Sequence, residues 1–424
     1  FLLGSMLSGI AHSMNELVAY RALQGLGAGG LLPLTFTIIG AYFSLEQRAK
    51  LQGFFSGVWG VSSLVGPLVG GFIVDMGSDA WRWIFYLNIP FGLAAAALIW
   101  FNLREPHVQH AKRSIDYSGV VLLVSGIVAF LVMLLEGPTS GWTSPMVIGL
   151  GAVSIVLIAL FVWNETKVSE PIIPLSLFKE RLFSIGSLHG FLSGMAMFGS
   201  ISFLPLFAQG VLGLNATAAG AALTPAMLGW TVSSVIGGRM LLTQGYRRVA
   251  IASMLIMSVG AFMLSRLDAN TLQWQLLLYS GLLGTGMGAA VTAFLISIQS
   301  SVARGQMGAA TSTLQFSRSI GGTIGVSIFG TVMTAKLADG LRAAGLDTTI
   351  DPRALLEGGA RIPAAVLQAL HGSLADAIAN VFLLAFVATF AALLAVVFFT
   401  PKPAAQPTAV MREAQRETIV EVGD

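Results

Sequence analysis

Long apolar runs, interrupted by charged and turn-forming residues, recur along this chain from its first residue to about residue 400. They lie near residues 16–43, 50–74, 84–103, 116–136, 145–164, 184–210, 217–241, 247–266, 274–299, 307–334 and 374–400. A helix crossing the hydrocarbon of a bilayer needs about 20 predominantly apolar residues, and each run supplies them. The opening stretch FLLGSMLSGIA is too short to cross, so it reads as the remainder of a span that begins before Phe1. The pattern predicts an all-α polytopic membrane protein with about twelve spans, the first partial. Strands do not fit: an open sheet leaves unpaired edges in lipid, and barrel strands would alternate polar and apolar residues.

Composition agrees with that pattern. Of 424 residues, 55% are hydrophobic and only 10% charged, against roughly a quarter charged in a soluble domain. The net charge of +3 is spread between the runs rather than gathered in a block, which argues against a nucleic-acid partner. Cysteine is absent, which removes disulfides, thiolate metal sites and thiol nucleophiles.

Charge sets an expected orientation, because short cytoplasmic loops carry the excess of Lys and Arg. Arg48, Lys50, Arg104, Lys112, Arg113, Lys167, Lys179, Arg181, Arg239, Arg247, Arg248 and Arg304 fall on one set of alternate connections, and only Arg82 and Arg266 on the opposite short ones. The first set is therefore expected in the cytoplasm, together with the C-terminus. The connection 336–372 is expected outside, where AAVLQALHG after Pro363 reads as a short amphipathic helix on the membrane surface or as a lid. The polar tail 401–424 is expected to be disordered.

The run 50–74 contains many residues that weaken helices. Ser62, Gly66 and Gly70 recur every fourth residue and leave one face nearly bare, so a neighbouring helix is expected to approach there. Pro67 removes a backbone donor and is expected to bend the helix. Gly53, Ser62, Gly66, Pro67, Gly70 and Gly71 resemble the antiporter motif of the major facilitator superfamily, with Ser62 where a glycine is usual. RALQGLGAGG, Arg21 to Gly30, resembles the Arg-x-x-Gln-Gly-x-Gly motif of that family's fourth span. WRWIFYLNIP, Trp81 to Pro90, and SEPIIPLSLFKERLF, Ser169 to Phe183, resemble signatures of its fourteen-span drug:proton antiporters.

The resemblance implies a two-bundle fold in which the first helices precede Phe1. The N-terminal bundle would occupy 1–103, two linker helices with flanking loops 104–183, the C-terminal bundle 184–400 and the tail 401–424. It implies proton-coupled export of small lipophilic drugs or toxic compounds through a bacterial plasma membrane. A proton gradient supplies the energy in place of a cofactor, and where the host has an outer membrane a periplasmic adaptor is the implied partner. Arg21, Gln24 and Gly25 are implied in proton coupling.

Arg21 lies just inside a span, and its other reading is a side chain snorkelling to the interface or pairing with Glu16. Arg318 sits near mid-span beside Gln315 and SIGGTIG, too deep to snorkel easily, and is read as facing a water-filled cavity. His189 is a lone imidazole within a span, either a proton relay or a packed residue. Met227, Trp230 and Phe198 either line a greasy pocket or pack a helix pair. Gly25, Gly27 and Gly30 spell a nucleotide-type GxGxxG, but no strand precedes them and that reading fails. No Asp or Glu falls deep in a span, so a proton-carrying carboxylate is expected before Phe1 or at a wet cavity mouth. Two rival functions are export of one specific metabolite, lipid or siderophore, and a non-transporting membrane subunit. The second would need a file of Lys, Glu and His across successive spans, which is missing. No metal-binding H-E-x-x-H or nucleophile G-x-S-x-G string points to an enzyme.

Overall fold

A computed structural model describes residues 1–77, 79–102, 116–214, 216–343 and 364–400. The helices of the N-terminal half are α1 (Leu2–Gly9), α2 (Met14–Tyr42), α3 (Leu45–Asp75), α4 (Trp83–Tyr86) and α5 (Asn88–Asn102). The pair α6 (Tyr117–Ser140) and α7 (Pro145–Glu165) follows. Then come α8 (Arg181–Gly210), the short α9 (Ala216–Ala221), α10 (Thr224–Gln244), α11 (Tyr246–Leu264), α12 (Gln273–Ser301), α13 (Met307–Ala343) and α14 (Ala364–Phe399). Ten described segments are long and apolar enough to cross a membrane. At 1.5 Å per residue the 31-residue α3 is about 46 Å long and also suffices. Every expected run is helical, and α1 is the short first piece.

Two boundaries differ from expectation. Helix α13 continues to Ala343, and α14 starts at Ala364, so AAVLQALHG is the first part of the last spanning helix rather than a separate surface helix or lid. Its apolar spacing continues in phase into the run after it, and no Gly or Pro pair stops the helix between them. Residues 344–363 and the tail 401–424, expected to be disordered, lie outside the described residues.

The densely packed core lies in the C-terminal half. Within its most apolar window, Gln273–Ser301 is 67% buried, whereas Ala80–Asn102 has 0% buried. Apolar surface gains nothing by leaving lipid for a neighbouring helix, so packing there depends on close approach at small residues. Glycines supply it at three helix pairs. On α12, a Cβ at Gly284 or Gly288 would collide with the carbonyls of Ala226 and Trp230 on α10, and one at Gly286 with Met257 on α11. Between α8 and α13, a Cβ at Gly194 would collide with the Arg318 carbonyl, one at Gly321 with that of Phe191 and one at Gly325 with Met195.

The bare face of α3 corrects the expectation built on it. Among the described residues, Gly66 and Gly70 meet nothing within 4 Å of a modest Cβ, and Ser62 is exposed. The close approach falls earlier in the helix, where a Cβ at Gly53 would lie 2.9 Å from Val235 and one at Gly60 would lie 2.6 Å from Thr231, both on α10. Four-residue spacing of small residues marks a face able to pack but does not say which level of it a neighbour reaches. The helix runs unbroken past Pro67 and Gly71.

Helices α6 and α7 pair with each other. Ser154 donates to the Gly126 carbonyl at 2.8 Å, and the Asn164 amide donates to Asp116 at 2.7 Å. Asp116 caps α6 by accepting from the Gly119 amide at 2.8 Å and from the Ser118 hydroxyl. These donors, the Gly119 amide first, hold its carboxyl below the usual carboxylate range.

The packing predicts opposite outcomes for two like substitutions. Gly284→Leu should cost a few kcal/mol through overpacking and lower the melting temperature of the purified protein. Gly66→Leu should leave that temperature nearly unchanged. Equal loss in both would mean that the α3 face is packed and the C-terminal seam is not limiting.

Candidate functional site

Two motifs separated in sequence meet through the short α1. The Arg21 guanidinium donates to the Gln24 side-chain oxygen at 2.7 Å, and the Gln24 amide donates to the Ser5 hydroxyl at 2.8 Å. Ser5 donates in turn to the Phe85 carbonyl at 3.1 Å and accepts from the Asn88 amide at 3.1 Å. Arg21 also lies over the Phe85 ring at 5.7 Å. The helical i, i+3 spacing places Gln24 where it can receive Arg21, and a Cβ at Gly4 would collide with the Gln24 backbone, which keeps α1 and α2 in contact. Arg82 completes the joint by donating to the Gly9 and Ala11 carbonyls at 2.9 and 2.6 Å, where α1 ends.

This arrangement replaces the proposed Arg21–Glu16 pair. Glu16 instead accepts from the His12 amide at 2.9 Å, while its own amide is capped by Ser13. Gly25, the third residue of the motif, meets nothing within 4 Å among the described residues.

A second cluster joins three of the expected cavity residues, Arg318, Trp230 and Phe198, and the other three lie on the same helices. The Arg318 guanidinium on α13 lies over the Trp230 ring of α10 at 5.8 Å, and Trp230 meets Phe198 of α8 edge-on at 6.4 Å between centroids. Phe198 itself is wedged against Gly322, where a Cβ would lie 2.7 Å from the ring. Gln315, one turn before Arg318, is 8% exposed. Met227 is partly buried against the core, one turn before Trp230. His189 is 2% exposed and stacks on Phe294 of α12 at 4.6 Å, with its Nε2 buried and unpartnered among the described residues. The next residue, Gly190, places its Cβ position 3.7 Å from the Arg318 amide. His189 is packed against Phe294, and its neighbour Gly190 lies beside the Arg318 backbone.

Among the described residues the ion pairs are Arg82–Asp79 and Arg342–Asp339, so no carboxylate lies within 4 Å of Arg318. No group of three or more His, Cys, Asp or Glu suited to a metal ion occurs among them either.

The contacts between the two halves complete the geometry. Gln299, near the end of α12, donates to the Phe36 carbonyl of α2 at 3.1 Å and to Thr311 of α13 at 3.2 Å. A Cβ at Gly40 would lie 2.7 Å from the Met307 sulfur, and one at Gly308 lies 3.7 Å from Thr37. Together with Gly53–Val235, these contacts sit near the helix ends that carry Arg48, Lys50, Arg239 and Arg304, whereas Gly60–Thr231 lies midway along α3. A cavity of about 400 Å³ opens beside Gly53 and Val235, with Lys50, Arg239 and Glu46 on its wall. Further along the same helices, Gly25 and Gly29 on α2 and Gly66 and Gly70 on α3 meet nothing within 4 Å among the described residues. The contacts between the halves thus run from the helix ends that carry these cations to the middle of α3.

Sequence reasoning missed Ser5, Phe36, Thr231, Val235 and Gln299. Ser5 and Gln299 are polar residues inside apolar runs, a visible signal; the other three are ordinary residues whose part in the contacts exists only once helices are assembled.

The family profile described as the Major Facilitator Superfamily matches residues 1–326. The "Multidrug transporter protein MdtP" of Bacillus subtilis is 37% identical over 337 residues, covering 79% of this chain and 62% of its own length. "Multidrug resistance protein 3" of the same organism is 37% identical over 414 residues, covering 94% of this chain and 80% of its own. The chain thus spans less than two thirds of the first relative. Among solved structures, the human organic anion transporter MFSD10 (TETRAN) superposes with a TM-score of 0.55 at 14% identity, over 92% of this chain and 75% of its own. A bacterial homolog of the human lysosomal transporter Spinster, inward-facing and unoccupied, gives 0.54 at 17% identity, over 95% and 82%. The helical fold, the family match and these relatives together place the protein as an integral membrane protein of the Major Facilitator Superfamily, whose relatives are transporters of small molecules.

Proposed function

We propose that the protein exports lipophilic compounds by alternating access, driven by proton entry across a bacterial plasma membrane. The observation that carries this reading is a seam between the halves built on glycines, with Gly40, Gly53 and Gly60 receiving Met307, Val235 and Thr231. Two helix bundles that meet along such a bare seam are what a rocking transporter presents in one of its two states. The charge rule puts the Gly40 and Gly53 end of the seam and the C-terminus in the cytoplasm, so we read the arrangement as the state closed toward the cytoplasm. The names of the Bacillus relatives support multidrug cargo.

The parts take roles accordingly. Gly53 and Gly60 let α3 seat against α10 without an intervening side chain, which keeps the cytoplasmic seam tight while cargo leaves. Gln299 adds a polar latch to the Phe36 carbonyl. Arg21, Gln24 and Gly25 are the proton-coupling candidates, because a cation beside a buried amide can bias a neighbouring acid. One charge entering is worth about 2.3 kcal/mol per 100 mV of membrane potential, enough to drive cargo uphill when coupled. Ser62, Gly66, Pro67, Gly70 and Gly71 lie on the stretch of α3 that would close against a neighbour in the opposite state. A periplasmic adaptor belongs to this reading only where the host has an outer membrane.

The absence of cysteine makes the seam directly testable. The Cβ position of Gly53 is 3.4 Å from that of Val235, close to the separation of roughly 3.5–4.5 Å that disulfides adopt. The Gly53→Cys, Val235→Cys protein should cross-link on mild oxidation, lose dye transport in inverted vesicles and regain it on reduction. Complete cross-linking with undiminished transport would reject a moving seam and with it the alternating-access reading.

A further inference from the structure

We propose that Arg318 is the recognition point for an acidic group on the transported molecule, so that the cargo includes amphipathic organic anions. The inference rests on the transport reading above and names a substrate class for it. A guanidinium inside a membrane domain is costly and persists where it meets an opposite charge or water. No carboxylate among the described residues lies within 4 Å of it. Its neighbours are instead the face of Trp230 at 5.8 Å and, one turn before it, the buried Gln315. An aromatic face offsets part of the desolvation of a cation but supplies no hydrogen-bond acceptor in its plane.

The position is held rather than mobile. The Arg318 carbonyl sits directly against Gly194 of α8, Phe198 is wedged on Gly322, and its ring meets Trp230 edge-on. Arg318 is therefore fixed at a known height: ten residues beyond Gly308, which touches α2 through Thr37, or about 15 Å along the helix from that contact.

The chemistry of the cluster selects its ligand. A planar guanidinium presents parallel N–H donors that match a carboxylate or sulfonate. Trp230 and Phe198 offer flat apolar surface for the rest of the molecule. A lipophilic cation finds apolar surface here but repulsion from Arg318. A molecule with an aromatic body and one acid satisfies both the rings and the charge.

A matched pair of probes tests this: dansylglycine, an anion, and dansylcadaverine, a cation with the same fluorophore. Binding is measured on the full-length protein in nanodiscs, and transport in energised proteoliposomes. Arg318→Gln should weaken dansylglycine binding at least tenfold and leave dansylcadaverine unchanged or tighter. Should that variant fail to fold, Arg318→Lys, which keeps the charge and loses the planar fork, should still weaken the anion several-fold relative to the cation. Wild-type protein that does not bind dansylglycine, or variants that shift both probes equally, would overturn the proposal; equal loss would mean that Arg318 serves a partner within the protein. Arg318-dependent binding of the anion with no transport of either probe would uphold the recognition site and remove the transport reading. Transport of the cation without Arg318-dependent anion binding would do the reverse.

Discussion

The structure depends on one constraint: in hydrocarbon, backbone polar groups must be satisfied within the chain, and apolar surface gains nothing by leaving lipid for a neighbouring helix. Helices meet the first condition. The second leaves close approach at missing side chains as the chief means of holding helices together. That is why the densest packing runs along Gly284, Gly286 and Gly288 of α12 and along Gly194, Gly321 and Gly325 between α8 and α13. The core of large buried side chains, Phe207, Phe329, Phe382 and Met287 among them, fills the space that these contacts define.

The same device works where the two halves meet. Within the C-terminal half some glycines set backbone against backbone, Gly284 against the Ala226 carbonyl and Gly194 against that of Arg318, while others receive rings, Gly322 that of Phe198 and Gly199 that of Phe329. Across the halves, Gly53 and Gly60 receive the side chains Val235 and Thr231, and Gly40 receives Met307. Gln299 adds a polar contact there, to the Phe36 carbonyl.

Polar groups within the helices are few, and their placement follows the same logic. The Arg21–Gln24–Ser5–Asn88 chain satisfies its members against one another and against the Phe85 carbonyl. Asp116, Ser118 and Asn164 do so at the end of the α6–α7 pair. Arg318 and the Nε2 of His189 are among the exceptions, a cation over an aromatic ring and a buried nitrogen without a partner among the described residues. Buried polar groups that a protein leaves incompletely satisfied are where a ligand has most to contribute.

Much of this was legible in the order of residues. Runs of about 20 apolar residues have one solution in lipid, so the expected helices stand where the runs stand, and the motifs at Arg21, Gly53–Gly71 and Trp81–Pro90 carried the family. Local periodicity could not say that AAVLQALHG continues into α14, because an amphipathic phase and a spanning phase share the same 3.6-residue repeat. Nor could it choose the level of α3 that packs: Gly66 and Gly70 offer as bare a surface as Gly53 and Gly60, and only the position of α10 decides which pair is used. The sequence by itself determined the helices, their approximate ends and the residue types able to approach closely or carry charge, since each follows from interactions within a turn or two of chain. Only the tertiary structure decided that Arg318 lies on Trp230, that Gln24 reaches Ser5 and that Gly53 meets Val235, because those contacts join residues separated by tens to hundreds of positions and depend on where whole helices stand.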